Sequence, residues 1–243
     1  MKIKIINPNT TRYMTDNIEI CGKNAASEGT EVYAVSPQTG PDSLESYVDE
    51  AVAVPGVLAE IVKGDREENA DAYIIACFCD PGLHAAREIT NKPVIGIAEA
   101  GIAVAKMLAP NFSIISVLDR SRETVWDTVH MHGADRNCRS IRSTGLGVLD
   151  FDKDPQKGLE ALRQQSELAV TDDGAECILL GCAGFVGFVE NLRKQLGVPV
   201  YDGVAPAVKM AEALYGLHAS TSKIRTWSKP EKKEYKGFSY LEQ

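Results

Sequence analysis

Ala72-Tyr73-Ile74-Ile75-Ala76-Cys77 and Cys177-Ile178-Leu179-Leu180-Gly181-Cys182 are the stretches whose reading decides the fold. Each is a short, continuous apolar run that ends on a cysteine and passes into a turn containing glycine. Runs of this length suit strands buried on both faces of a parallel sheet. Other segments match at nearly the same spacing. Lys92-Pro93-Val94-Ile95-Gly96 lies over Gly197-Val198-Pro199-Val200-Tyr201, and Ile5-Ile6-Asn7 over Ile114-Ile115-Ser116. Buried strands look alike in any α/β protein, so the apolar runs alone carry little. A cysteine at the same end of the same strand in both copies carries more.

Outward from these runs, strands are expected at Ile3–Ile6, Val32–Val35, Tyr73–Ala76 and Val94–Ile97. In the second half they are expected at Phe112–Val117, Arg139–Arg142, Cys177–Leu180 and Val198–Tyr201. Helix-like stretches separate them: Thr10–Ala26, Ser43–Val62, Leu83–Ile89, Ser121–His132, Gln156–Val170 and Val186–Leu196, with Val204–Leu217 last. Strands joined by crossover helices make parallel sheets with right-handed βαβ units. The fold class is therefore α/β: two pseudosymmetric domains, each a four-stranded parallel sheet flanked by helices, with the active site in the cleft between them. The first domain is expected to hold residues 1–97 plus 205–243, and the second 98–204, joined near Ala98–Asn111. The polar tail from Ala219, with five lysines and Trp227, Tyr235, Phe238 and Tyr240, reads as an exposed terminus or a subunit-contact arm.

Composition narrows the function. The chain has 243 residues, 44% hydrophobic and 25% charged, with a formal net charge of −8. That balance argues against a nucleic-acid partner. No apolar run approaches the ~20 residues needed to cross a membrane, and the start at Met1 is too short for a signal-peptide core. A cytoplasmic enzyme is the expectation. The cysteines, Cys21, Cys77, Cys79, Cys138, Cys177 and Cys182, do not form a disulfide framework in such a chain.

Ligands of parallel α/β sheets bind beyond the carboxyl ends of the strands. Asn7-Pro8-Asn9-Thr10, Cys77 to Gly82, Ser116 to Ser121 and Gly181 to Phe185 lie there. If the halves face each other about an approximate two-fold axis, Cys77 and Cys182 reach one cleft from opposite sides. Two-base racemisation needs that geometry: one group removes a proton from a tetrahedral carbon and the other returns one to the opposite face. A thiol titrates near ~8.5, and a helix N-terminus favours its thiolate. Both cysteines are expected at helix starts. Backbone amides at Ala183, Gly184 and the Phe78–Cys79 turn are candidate donors to the developing oxyanion.

The segments Asn7-Pro8-Asn9-Thr10-Thr11, Ala76-Cys77-Phe78-Cys79-Asp80-Pro81-Gly82-Leu83 and Leu180-Gly181-Cys182-Ala183-Gly184-Phe185 resemble the hydantoin/allantoin racemase branch of the aspartate/glutamate racemase superfamily. The resemblance runs to about residue 217 and is strongest to the allantoin racemases. It implies a cofactor-free racemase with a two-cysteine mechanism, a homo-oligomer, and allantoin or another 5-substituted hydantoin as substrate. The catalytic cysteines fall on Cys77 and Cys182. Where the superfamily's amino-acid racemases carry an acid in the first loop, this chain has Asn7; Phe78 and Ala183 follow the cysteines. Little remains to grip an ammonium and a carboxylate, and a neutral ring held by amides fits better. Many members of the branch have Gly in place of Cys79. The repeat aligns Cys182 with Cys77, which leaves Cys79 as pocket wall.

The other candidates are weaker. Asn7 and Asn9 can bind ring carbonyl and N–H groups, or Asn9 can cap the next helix. Phe78 and Phe185 can wall a ring. Asp80 is expected to cap the helix after Pro81. His130 and His132 fall late in a helix, toward the opposite end of the sheet from the cysteines, so a zinc site with Cys77 and Cys79 is not expected. The rival readings are an amino-acid racemase and a non-catalytic small-molecule-binding protein.

Overall fold

Lys2–Ile6 forms β1, buried from Ile3 onward, at the centre of the first sheet in the computed structural model, which describes residues 1–242. It pairs in parallel with β2 (Glu31–Val35) on one side and β3 (Ala72–Ile75) on the other, and β3 pairs with β4 (Val94–Gly96). The order is β2-β1-β3-β4. The second sheet repeats it with β5 (Phe112–Ser116), β6 (Cys138–Ser143), β7 (Cys177–Leu180) and β8 (Val200–Tyr201), in the order β6-β5-β7-β8, again all parallel. All eight expected strands are present. The last is shorter than the sequence suggests because Pro199 has no N–H to give; its carbonyl still accepts from Ile178 at 2.9 Å.

Around the sheets lie α1 (Arg12–Ala25), α2 (Tyr47–Lys63), α3 (Leu83–Ile89), α4 (Ile97–Leu108), α5 (Arg122–Met131), α6 (Asp150–Lys153), α7 (Pro155–Thr171), α8 (Val189–Leu196) and α9 (Val204–Gly216). Two starts show local capping. Ser46 accepts from the Asp49 N–H at the head of α2, and Asp154 accepts from the Lys157 N–H with Pro155 in the first turn of α7. A 3₁₀ turn at Ala183–Phe188 precedes α8, so the helix starts later than Val186; Gly184 and Gly187 are poor helix formers.

The sequence does not announce α4. Ala98–Asn111 reads as a joint, yet most of it is helix, following β4 without a loop. Its apolar residues Ala98, Ala100, Ile102 and Ala105 are buried. It packs against α9, against β4 of the first sheet and against β7 of the second. A Cβ on Gly101 would meet Leu179 at 2.8 Å, and one on Gly203 would lie 2.0 Å from the Ile97 carbonyl. The absence of side chains at these two positions lets α4 sit between the halves. Val204, Ala207, Val208 and Ala211 of α9 join the core formed by Ile3, Ile5 and Ile74.

The tail straps the outside of the first sheet. Tyr240 and Leu241 pack on the cluster around Ile6, Val57 and Tyr73, and the Tyr240 hydroxyl donates to the Pro55 carbonyl at 2.8 Å. Trp227 stacks on His84 of α3, and Lys223 caps that helix through the Arg87 and Glu88 carbonyls. No helix among the described residues is long and apolar enough to cross a membrane.

Candidate active site

Both sheets point their carboxyl ends at one small cleft. β3 leads through Ala76 to Cys77, and β7 leads through Gly181 to Cys182. Glycine at 181 lets this strand end approach β5: a Cβ there would lie 2.7 Å from Ile114 and 3.1 Å from the Ile115 carbonyl. Cys77, Phe78 and Cys79 line the cleft from one side, and Ser116, Gly181 and Cys182 from the other. Glu45 and Glu50, with Ser121, Thr124 and Val148, close it. The space left is about 40 Å³, room for a water or two.

Contacts between the halves hold this closed arrangement. The Glu45 carboxylate accepts from the Val148 N–H at 2.7 Å, and the Ser121 hydroxyl donates to the Glu45 carbonyl at 3.3 Å. The Tyr47 hydroxyl donates to Asp127 at 2.8 Å. A molecule the size of a hydantoin ring enters only when such contacts part.

The turn after Cys77 is built around Asp80. The Asp80 N–H donates to the Cys77 carbonyl at 3.0 Å, and Asp80 takes φ 46°, a left-handed conformation costly for a residue with a Cβ. This directs its carboxylate inward, where it accepts from the Ala98 and Glu99 N–H groups at 3.0 and 2.9 Å. Asp80 thus caps α4, not α3 as the sequence suggests. The second difference concerns His132, whose Nε2 lies 3.2 Å from Asp80 Oδ2. The end of α5 therefore comes to the cysteine turn. His130 is turned elsewhere, onto Asp135 at 2.8 Å. Burial pushes the Asp80 carboxyl up, against the His132 and backbone hydrogen bonds.

Cys182 caps the 3₁₀ turn, its Sγ accepting from the Gly184 N–H at 3.4 Å. Burial nevertheless pushes its thiol up to about 12, with Cys77 and Glu45 adding to the rise. The expected lowering by a helix start does not hold for Cys182, because lost hydration of the thiolate outweighs one N–H donor. Cys77 and Cys79 lie with their sulfurs 3.3 Å apart. That contact, then burial, raises Cys79.

The remaining candidates divide. Phe78 and Cys79 line the cleft. Asn7 and Asn9 lie outside its lining: the Asn7 amide donates to Asn9 Oδ1 at 2.9 Å and to Thr15 at 3.0 Å, and Asn9 accepts from the Thr11 N–H at 2.9 Å ahead of α1. Ala183 and Phe185 are core residues, Phe185 against Phe151 with ring centroids 4.5 Å apart. The Gly184 N–H is engaged by Cys182. The residues that sequence reasoning passed over are Glu45 and Glu50, near the start of a helix it placed but did not connect to the site.

Two duplicated parallel sheets that aim a cysteine each into a shared cleft define a pseudosymmetric α/β isomerase of the racemase type. The Asp/Glu/Hydantoin racemase family model matches residues 3–211, and the chain belongs to that family. It is 54% identical over 237 residues to the hydantoin racemase of Pseudomonas sp. (strain NS671), covering 98% of this chain and 95% of that one. Its fold superposes on allantoin racemase from Klebsiella pneumoniae with a TM-score of 0.97 at 40% identity, covering 100% and 99% of the two chains. With allantoin racemase from Pseudomonas fluorescens the TM-score is 0.93 at 37% identity, covering 97% and 99%.

Proposed function

We propose that this chain interconverts the enantiomers of a 5-substituted hydantoin, allantoin foremost, by proton transfer at C5 between Cys77 and Cys182. The observation that carries this reading is that both sulfurs line one cleft, each at the end of the equivalent strand of its sheet. The ring carbonyl beside C5 acidifies its hydrogen. A thiolate on one face takes that proton, leaving an enolate, and a thiol on the other face returns one. A positioned base and acid contribute about 10²–10⁴-fold each. Burial raises the Cys182 thiol; for one enantiomer one cysteine is the base and the other the acid, and the roles exchange for the other enantiomer. The narrow cleft leaves room for few waters, and fewer waters strengthen each charge interaction in it.

The racemase names of the relatives support the class of substrate. The allantoin racemase structures favour allantoin. A second reading, hydantoins with an apolar C5 substituent, is favoured by the 54% identical hydantoin racemase and by the apolar side chains of Val54, Leu83 and Met131 just outside the cleft. Circular-dichroism time courses on chiral allantoin, 5-benzylhydantoin and glutamate separate these. Loss of optical activity for either hydantoin and none for glutamate is expected. Cys77→Ser and Cys182→Ser should each abolish racemisation, and a double variant as fast as wild type would sink the two-cysteine mechanism.

A further inference from the structure

Glu50 and Cys79 are the two residues that line both the closed cleft and the neighbouring open pocket of about 390 Å³. They stand between the narrow cleft of about 40 Å³ and a wider pocket open to solvent. Cys79 Sγ stands 3.3 Å from Cys77 Sγ, and the half-buried Glu50 lies beside Cys79 in the lining of both spaces. Three groups able to give and take a proton therefore run in file from Cys77 to the outer pocket. Cys182 has no matching file. Its Sγ accepts from a backbone N–H, the residue matching Cys79 is Gly184, and the Glu45 carboxylate near it is tied to Val148.

We propose that Cys79 and Glu50 conduct protons between Cys77 and solvent, so that of the two reacting thiols only Cys77 exchanges its proton while the cleft stays shut. This rests on the two-cysteine reading above. After Cys77 has taken the C5 proton, its S–H bond breaks as the proton passes to the Cys79 sulfur. The Cys79 S–H bond breaks as its proton passes to a Glu50 carboxylate oxygen, and Glu50 releases its proton to water in the outer pocket. Each step breaks one bond to hydrogen and makes another, with no change of oxidation state, and the reverse sequence brings a solvent proton in. Burial holds the Glu50 carboxyl above the usual carboxylate range, against the opposing pull of Cys79 and Thr124, which brings it nearer to a thiol and eases the hand-over.

The test follows the C5–H proton signal of each enantiomer of allantoin and 5-benzylhydantoin in D₂O. Cys182→Ser leaves Cys77 as the one reacting thiol, so hydrogen on its own face washes out without racemisation. Glu50→Gln in that background removes the transferable carboxyl proton while keeping a side chain of the same shape, and Cys79→Ala removes the middle member of the file. Each should lower wash-out at least tenfold relative to the rate at which iodoacetamide alkylates Cys77, a ratio that a merely structural loss would leave in place. The Cys77→Ser variant, relying on Cys182, should wash out the opposite enantiomer at least tenfold more slowly than the Cys182→Ser variant. An unchanged wash-out-to-alkylation ratio in both added substitutions overturns the relay and leaves the two-cysteine reading standing. Absence of wash-out in both single-serine variants, with wild type racemising the same probe, overturns the two-cysteine reading itself.

Discussion

Gly96 and Asp80 occupy one space: a Cβ built on Gly96 would lie 2.0 Å from the Asp80 carboxyl carbon. The last residue of β4 must therefore be glycine for the buried carboxylate to reach the head of α4. Gly96→Ala should expel Asp80 from its hydrogen bonds to Ala98 and Glu99 and part it from His132. A buried carboxylate losing its donors and a helix losing its cap together cost about 2–4 kcal/mol, so the melting temperature should drop by roughly 5–10 °C. A melting temperature unchanged from wild type would contradict this.

Cys182 should alkylate slowly at neutral pH. Only the thiolate reacts, and burial places this thiol at about 12. Peptide mass mapping after iodoacetamide at pH 7.5 should find Cys182 almost unmodified. Its rate should rise about tenfold per pH unit while the protein stays folded. Cys77→Ser removes a neighbour that adds to this rise and should speed it.

Glu212 of α9 ties that helix to the end of α1. It accepts from the Ser27 N–H at 2.7 Å and the Ser27 hydroxyl at 2.8 Å, and pairs with Lys209 at 2.9 Å. Burial works against its charge, yet these bonds and one to Thr30 hold its carboxyl at about 2. That lies below the unfolded value of about 4.3. The carboxylate therefore contributes stability fully above about pH 4.3 and loses it as pH falls through about 2. Glu212→Gln should lower the melting temperature at pH 7 and converge on wild type as pH approaches 2. Parallel melting curves offset equally at both ends would rule this out.

Removing the strap after Leu217 should loosen α3, the helix that follows the Cys77 turn. It strips Trp227 from His84 and Lys223 from the last carbonyls of α3, and bares the apolar cluster beneath Tyr240 and Leu241. Hydrogen exchange should speed at least tenfold in Leu83–Ile89, with β5 to β7 unaffected. Equal acceleration in both sheets would mean that the tail acts on the whole fold.

The sheets were legible because buried parallel strands are written as uninterrupted apolar runs, and the cysteines at Cys77 and Cys182 because strand ends follow from strands. The family followed from the same segments. What lay beyond reading depended on backbone conformation or on distant partners. Asp80 looks like a local cap until its positive φ turns it toward α4. His132 looks remote until α5 folds over the cysteine turn. Asn7 and Asn9 look free until Thr15 and Thr11 engage them. Helix α4 hides because its first two turns are buried on nearly every side and its cap comes from the turn after β3. Glu45 and Glu50 carry no motif; only the approach of the second half brings them to the cleft.

The seating of α4 also bears on how the cleft opens. Gly203 rests against the Ile97 carbonyl and Gly101 against Leu179, too close for one layer to slide over the other without collision. Swinging, with this helix as the axle, leaves those contacts in place. Motion of that kind parts the jaws where Glu45 meets Val148 and moves α4 itself least. Admission of substrate and the alignment of the two sulfurs then share a single degree of freedom.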